Sequence, residues 1–137
     1  MIAGIDVVKA SEEDVAWLYP DLSVAQVIER WLALGARLAV LTLGAKGATA
    51  ATAATAVNVD APSVVVRDTV GAGDSFMSGL IAALDRRELL TVSGRTRLPH
   101  LDEETLHAIV AFGVQCSAVT VTREGADPPR WDEFGPA

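Results

Sequence analysis

Two aspartates, Asp68 and Asp74, flank the small-residue run Gly71-Ala72-Gly73 in the stretch DTVGAGDSF, residues 68–76. A Gly-Ala-Gly turn that enters a helix exposes several backbone N–H groups in a concave array. Glycine permits positive φ there and keeps side chains out of the way. The positive end of the helix dipole points at the same spot. Such a turn suits a phosphate or a developing negative charge. Asp74 lies at its lip, in the first helical turn, where a carboxylate could take a proton from a hydroxyl. An anion hole beside a base is what phosphoryl transfer to an alcohol needs. The plain alternative is structural: aspartate at a helix start is most often a cap, and glycine-rich turns before helices are common. Spacing alone favours the cap. Other chemistry motifs fail. No GxxxxGK[ST] loop occurs, position 76 is Phe where a GxGxxG run needs glycine, and no Gly-x-Ser-x-Gly elbow surrounds Ser75.

The elements that must position this turn read as alternating strands and helices. GIDVVKA is a short apolar run, best taken as a strand ending at Lys9. Ser11 can cap the next helix with Asp14 at its third position, and Ser23 with Gln26 repeats the pattern. Val24, Val27, Ile28, Trp31 and Leu32 follow helical spacing until Gly35 stops it. RLAVLTLG is a buried strand running into Gly44, and residues 48–60 read as a hairpin or a pair of short strands. PSVVV reads as a further strand ending at Arg67. After the anion turn, Phe76, Met77, Leu80, Ile81 and Leu84 share one helix face, with Gly79 permitting close approach to a neighbour. Residues 85–100 read as a polar surface connection. Asp102 caps a long helix whose buried stripe is Leu106, Ile109, Val110, Gly113 and Val114; the tail from Thr120 starts strand-like and ends as a loop. Apolar strands alternating with helices predict an α/β fold with a mostly parallel sheet.

Composition bounds the rest. The 137 residues suffice for one modest domain, and 50% of them are hydrophobic, enough for a packed core. The net charge of −7 argues against nucleic acid or an anionic membrane as partner. A single cysteine, Cys116, excludes an intrachain disulfide and points to a reducing compartment. The N-terminus lacks the basic start and apolar core of a signal peptide, and no apolar run reaches the ~20 residues that span a bilayer, so the chain is expected in the cytoplasm. Cys116 and His107 lie nine helical positions apart, on opposite faces, and are no catalytic pair. His100 and His107 lack zinc-ligand neighbours and read as solvated or structural.

DTVGAGDSFMSGL resembles the second signature of the PfkB family of carbohydrate kinases. Three further segments agree, in family order and spacing. VVKASEEDVAWLYP resembles the part of bacterial fructokinases that carries the Asn-x-x-Glu motif. VLTLGAKGA resembles the nucleotide-binding strand and turn, and VTREGADPP the C-terminal loop near the adenine pocket. The resemblance implies a ribokinase-like three-layer α/β fold and an ATP-dependent sugar kinase that uses Mg²⁺. It implies that Asp74 is the general base and that the amides of Gly71, Ala72 and Gly73 form the anion hole. It places Thr42, Gly44 and Gly47 at the ATP-contacting turn, with Val114 and Cys116 bordering adenine; for these two, core packing is an equal alternative. Ser11 and Asp14 fall where the family has the Asn and Glu that organise Mg²⁺ through water, a role compatible with capping. Asp68 matches an aspartate that helps bind a monovalent cation in many members, with Val70, Thr120, Arg123 and Gly125 supplying mainly backbone oxygens. Pro129 stands where a serine ligand is frequent, which argues against a potassium requirement.

Family members run to roughly twice this length by resemblance, and the match begins deep inside the family pattern. Residues 1–137 are therefore expected to form a C-terminal catalytic and nucleotide-binding portion, without the half that holds most sugar contacts. An open sheet edge follows, and with it a homo-oligomer or a complementary N-terminal segment as partner. A truncated, catalytically inactive nucleotide-binding or structural fragment is the alternative. WLYPDL leans toward fructokinase by resemblance; the sugar itself is not specified.

Overall fold

The computed structural model describes residues 4–134. One four-stranded sheet runs in the order β1 (Val7–Ser11), β2 (Leu38–Thr42), β3 (Ala48–Ala51), β4 (Ala56–Val59). β1 and β2 pair in parallel, with Val7 opposite Leu38. The β2–β3 and β3–β4 pairs are antiparallel. The sheet is thus mixed among the described residues, where a mostly parallel one was expected. The cause is local. After β2 the chain makes a 3-10 turn over Gly44–Lys46 and reverses at Gly47, whose φ is +98°. A Cβ on Gly47 would lie 1.9 Å from the Val59 carbonyl oxygen, so only glycine fits. A reversal this tight yields hairpins, whereas a parallel neighbour needs a crossover of a dozen or more residues.

Among the described residues the helices are α1 (Glu12–Leu18), α2 (Val24–Ala33), α3 (Ala72–Asp85), α4 (Val92–Arg97) and α5 (Glu103–Val121). α1 and α2 both start with full capping boxes, Ser11 with Asp14 and Ser23 with Gln26. The strand period of two then sorts the core. Leu38 and Val40 face α3 and α5, together with Phe76, Leu80, Leu106 and Ile109. Ala39 and Leu41 face the other way, onto Val15, Val27, Ile28 and Trp31 of α1 and α2. This gives the expected three layers, helices on both faces of a buried sheet. α3 and α5 come close because of small residues: a Cβ on Gly79 would sit 2.8 Å from Cys116 Sγ and 3.1 Å from Gly113 Cα. Ile81, expected in the α3 stripe, is 49% exposed, one step off the face that buries Leu80 and Leu84.

Three segments differ from expectation. PSVVV is not a strand: Val65 is 83% exposed, and the segment crosses from β4 to α3 with Arg67 N–H donating to the Val121 carbonyl at 2.8 Å. β-branched residues favour a strand only where a partner edge is offered. Residues 85–100 hold α4, capped by the Thr91 hydroxyl on the Gly94 N–H at 2.9 Å, and bury Leu89 and Leu98. The strand-like TVT ends α5 instead. Thr120 and Thr122 turn their hydroxyls back to carbonyls of the preceding turn, at 3.0 and 2.7 Å, which suits helix better than strand. The resulting 19-residue α5 is long and apolar enough to cross a bilayer, a length no run in the sequence was expected to reach; here its apolar stripe packs on α3 and the sheet. Trp131–Phe134 form a 3-10 turn, and the end of the tail expected as loop, 135–137, lies outside the described residues.

Candidate functional site

The end of the sheet where β1 and β2 finish, the α3 N-terminus and one face of α5 enclose a cleft of about 710 Å³. Its composition follows from element geometry. Lys9 and Ser11 come from β1, Thr42, Gly44 and Gly47 from the end of β2 and its turn, and Ala72 and Gly73 from the first turn of α3. α5 supplies Val114, Ser117, Ala118 and Val121, a stripe at helical spacing i, i+3, i+4, i+7. Val64 and Val66 of the misread strand line it as well. The turn after β2 and the glycine turn before α3, 44–47 and 71–73 along the chain, thus face one space.

The anion turn is built by Gly71, which has φ +79° and leads into α3 with no side-chain cap. A Cβ on it would lie 2.8 Å from Ala126 Cβ. The Ala72 N–H donates to the Thr69 carbonyl at 3.2 Å, and the Ser75 N–H closes the first helical bond to Gly71 at 2.8 Å. The N–H groups of Gly71, Gly73 and Asp74 have no partner among the described residues, so the usable donors are these three rather than Gly71, Ala72 and Gly73. Asp74 is exposed in the first turn of α3 and makes no capping bond. The capping alternative therefore falls away at this residue. Its neighbour Ser75 is buried and donates to the Cys116 carbonyl at 3.0 Å, with the Thr120 hydroxyl 2.7 Å from Ser75 Oγ. That buried link fastens α3 to α5 directly beneath the turn.

Lys9 is the residue that sequence reasoning missed. It sits on the β1 face that looks toward α3, beside Val7, and its Nζ lies 5.9 Å from the centre of the Phe76 ring. The same Nζ lies 3.3 Å from where a Cβ on Gly73 would be. A cation thus lies beside Gly73 at the first turn of α3. Its signal was available: a lysine inside an apolar strand, two residues before the capping serine.

Other expected residues are placed differently. Asp14 folds back on its own cap, with Oδ2 accepting from the Ser11 N–H at 2.9 Å and the Ser11 hydroxyl at 2.8 Å. These bonds, the N–H first, hold its carboxyl below the usual carboxylate range. Ser11 lines the cleft, but the carboxylates that do so with it are Glu12 and Glu13. Among the described residues no three His, Cys, Asp or Glu side chains converge to hold a metal. The donor set fits Mg²⁺ only as an ion carried mainly by phosphate oxygens and water, with these carboxylates outside. Asp68 has both carboxylate oxygens engaged: the Val70 N–H donates to Oδ1 and the Gly125 N–H to Oδ2, each at 3.0 Å. Those two bonds, Val70 first, keep its carboxyl below the ordinary value. The Thr120 carbonyl accepts from the Arg123 N–H at 3.1 Å and that of Gly125 from the Asp127 N–H at 3.0 Å. Asp68 therefore supports the loop, and two of the carbonyls expected for a monovalent cation already have donors. Cys116 is turned away from the cleft against Gly79, since two helical positions separate it from Val114 by about 200°. His100 and His107 are exposed, as expected.

This architecture and its cleft have clear relatives. A fructokinase from Rhizobium leguminosarum bv. trifolii is 41% identical over 106 residues, 77% of this chain and 32% of that enzyme. A fructokinase from Vibrio cholerae O395, solved with fructose, ADP and calcium ion, superposes with a TM-score of 0.70 at 32% identity over 88% of this chain and 36% of its own. The aminoimidazole riboside kinase of Salmonella enterica superposes with a TM-score of 0.78 at 27% identity, over 97% of this chain and 41% of its own. The chain spans about a third of the length of the first of these relatives. The profile described as pfkB family carbohydrate kinase matches residues 1–133, and with a three-layer fold shared with such kinases, this chain belongs to that family.

Proposed function

We propose that the chain carries the catalytic base, anion hole and nucleotide cleft of a fructokinase-like enzyme that phosphorylates a sugar hydroxyl with ATP. The observation that carries this reading is the convergence of the β2 turn, Lys9 and Gly73 of the glycine turn on one cleft, with Asp74 one residue beyond Gly73. Bound MgATP supplies the phosphoryl group. The remaining work falls to the chain. Asp74 takes the proton from the attacking hydroxyl; the N–H groups of Gly71, Gly73 and Asp74 hold the negative charge on the transferring group. The Lys9 ammonium neutralises phosphate charge in a protein that is otherwise acidic. Gly44 and Gly47 keep side chains away from the nucleotide, and the α5 stripe of Val114, Ala118 and Val121 offers an apolar wall to its base.

A second reading has its own support. Asp74 and Asp68 do not line the cleft, so on this reading it takes the nucleotide and the sugar is held elsewhere. The chain alone would then bind ATP without turnover, and the sugar side would come from a longer form of the protein or a complementary segment. Calorimetric titration with MgATP, followed by a coupled ADP-release assay with fructose, separates the two. Heat with ADP release supports the first, heat without release the second. No heat at millimolar nucleotide overturns both and leaves a structural fragment.

A further inference from the structure

Arg123 leaves the end of α5 and aims its guanidinium back across the loop that follows. Nη1 lies 3.3 Å from the Pro128 carbonyl and 3.5 Å from both the carbonyl and the carboxylate of Asp127. Nη2 donates to Glu133 Oε2, and Glu133 Oε1 accepts from the Arg130 N–H at 2.8 Å. One planar fork therefore closes residues 123–133 on themselves. A lysine, with a single ammonium, could not reach this set of acceptors together.

The closed loop meets the anion turn at two points. The Gly125 N–H donates to Asp68 Oδ2 at 3.0 Å, across 57 residues of sequence, while Asp68 Oδ1 holds the Val70 N–H. Ala126 packs on Gly71, so closely that a Cβ there would clash at 2.8 Å. Gly71 in turn accepts the first hydrogen bond of α3 from the Ser75 N–H. After Ala126, the next atom from that Cβ position is Thr120 Cγ2, at 3.9 Å. Arg123 itself does not line the cleft.

We infer that the Arg123 side chain is a positioning residue for the anion turn: its fork shapes the 123–133 loop, which then holds Asp68 and Gly71 in place. The inference rests on the reading of residues 71–74 as an anion site only for its consequence, not for the coupling itself. Glu133 is the second arm of the same device, and its loss weakens the grip without removing it.

Hydrogen exchange followed by mass spectrometry on the unliganded chain tests the coupling. In Arg123→Gln, peptides covering 68–76 are expected to exchange about tenfold faster, the consequence of losing one or two ordinary hydrogen bonds, while the β2 peptide 38–42 stays protected. Arg123→Lys is expected not to restore protection, because charge without the fork does not close the loop. Unchanged exchange in 68–76 while 123–133 opens would overturn the inference, as would full rescue by lysine. If Arg123→Gln unfolds the chain, seen as lost protection in 38–42, Glu133→Gln decides: faster exchange in 68–76 supports the coupling and unchanged exchange overturns it. MgATP titration of the unaltered chain reads the functional proposal separately. Coupling with no ATP binding keeps Arg123 as a positioning residue and removes the phosphate role of the turn.

Discussion

Lys9 Nζ stands 3.3 Å from the position of a Cβ on Gly73, so the cation of β1 and the first turn of α3 meet in the cleft. A charge-assisted contact to phosphate contributes roughly 1.5–3 kcal/mol. Lys9→Met is expected to weaken MgATP binding by about ten- to a hundredfold, read by calorimetry, with the circular dichroism melt nearly unchanged. Equal affinity in the variant would remove Lys9 from the phosphate site.

Asp74 makes no cap and is exposed, so its removal costs the fold little. Only the first-turn dipole term is lost, about 0.3–1 kcal/mol. Asp74→Asn is expected to lower any sugar-dependent ADP release by about 10²- to 10⁴-fold while leaving nucleotide affinity intact. Unchanged turnover in the variant shows that another group takes the proton.

Gly44 and Gly47 share a turn but not a penalty. Gly44 has φ +57° and open space around its Cβ position, whereas Gly47 has φ +98° and a Val59 carbonyl at 1.9 Å. Gly44→Ala is expected to cost about 1 kcal/mol for the left-handed backbone alone. Gly47→Ala must also displace β4, and is expected to cost more than about 3 kcal/mol. Thermal melts that rank the two variants equally would mean the β2 turn is looser than described.

Asp6 ties the chain leading into β1 to two distant arginines, with Arg95 Nε at 2.7 Å and Arg37 Nε at 3.0 Å from Oδ1. The Arg95 hydrogen bond is the largest cause holding its carboxyl below the ordinary value. A depressed carboxyl stabilises the fold above its unfolded pKa, about 3.9, and the gain fades as pH falls through the folded value. Both arginines are partly solvated, so the contribution at pH 7 is no more than about 1 kcal/mol. Asp6→Asn is expected to lower the melting temperature at pH 7, with the gap narrowing as pH falls below the unfolded carboxyl value. A gap that does not narrow on acidification would show that the ion pairs are not its source.

Among the described residues β1 has one neighbour in the sheet, and Trp17 and Leu18 of the helix that follows it, α1, are 83% and 53% exposed. An open edge next to exposed large side chains favours association. Static light scattering is expected to show mass rising with concentration, and Trp17→Ser with Leu18→Ser is expected to reduce it. A compact monomer at all concentrations would count against an exposed edge.

Much of the site was legible because local rules write it. Ser11 and Ser23 announce their helices through the residue three places on, and the α3 and α5 stripes follow a 3.6-residue period that packing alone requires. The glycines of 71–73 mark a positive-φ turn at a helix start for the same local reason. What local rules could not decide is where each side chain points once the layers close. Asp74 and Asp68 look alike in DTVGAGDSF, yet one is free at the first turn of α3 and the other is fully engaged by N–H groups, one of them 57 residues away. Asp14 satisfies its own cap and leaves the cleft to Glu12 and Glu13, and Cys116 turns to Gly79 while Ser117 and Ala118 face the cleft. PSVVV has strand chemistry but no edge to join. The sequence by itself determined most of the elements, the glycine turn and the family. Only the tertiary structure brought Lys9 to Gly73 and Ala126 onto Gly71, because those contacts depend on β1, α3 and the loop after α5 meeting, and no local period encodes which elements meet.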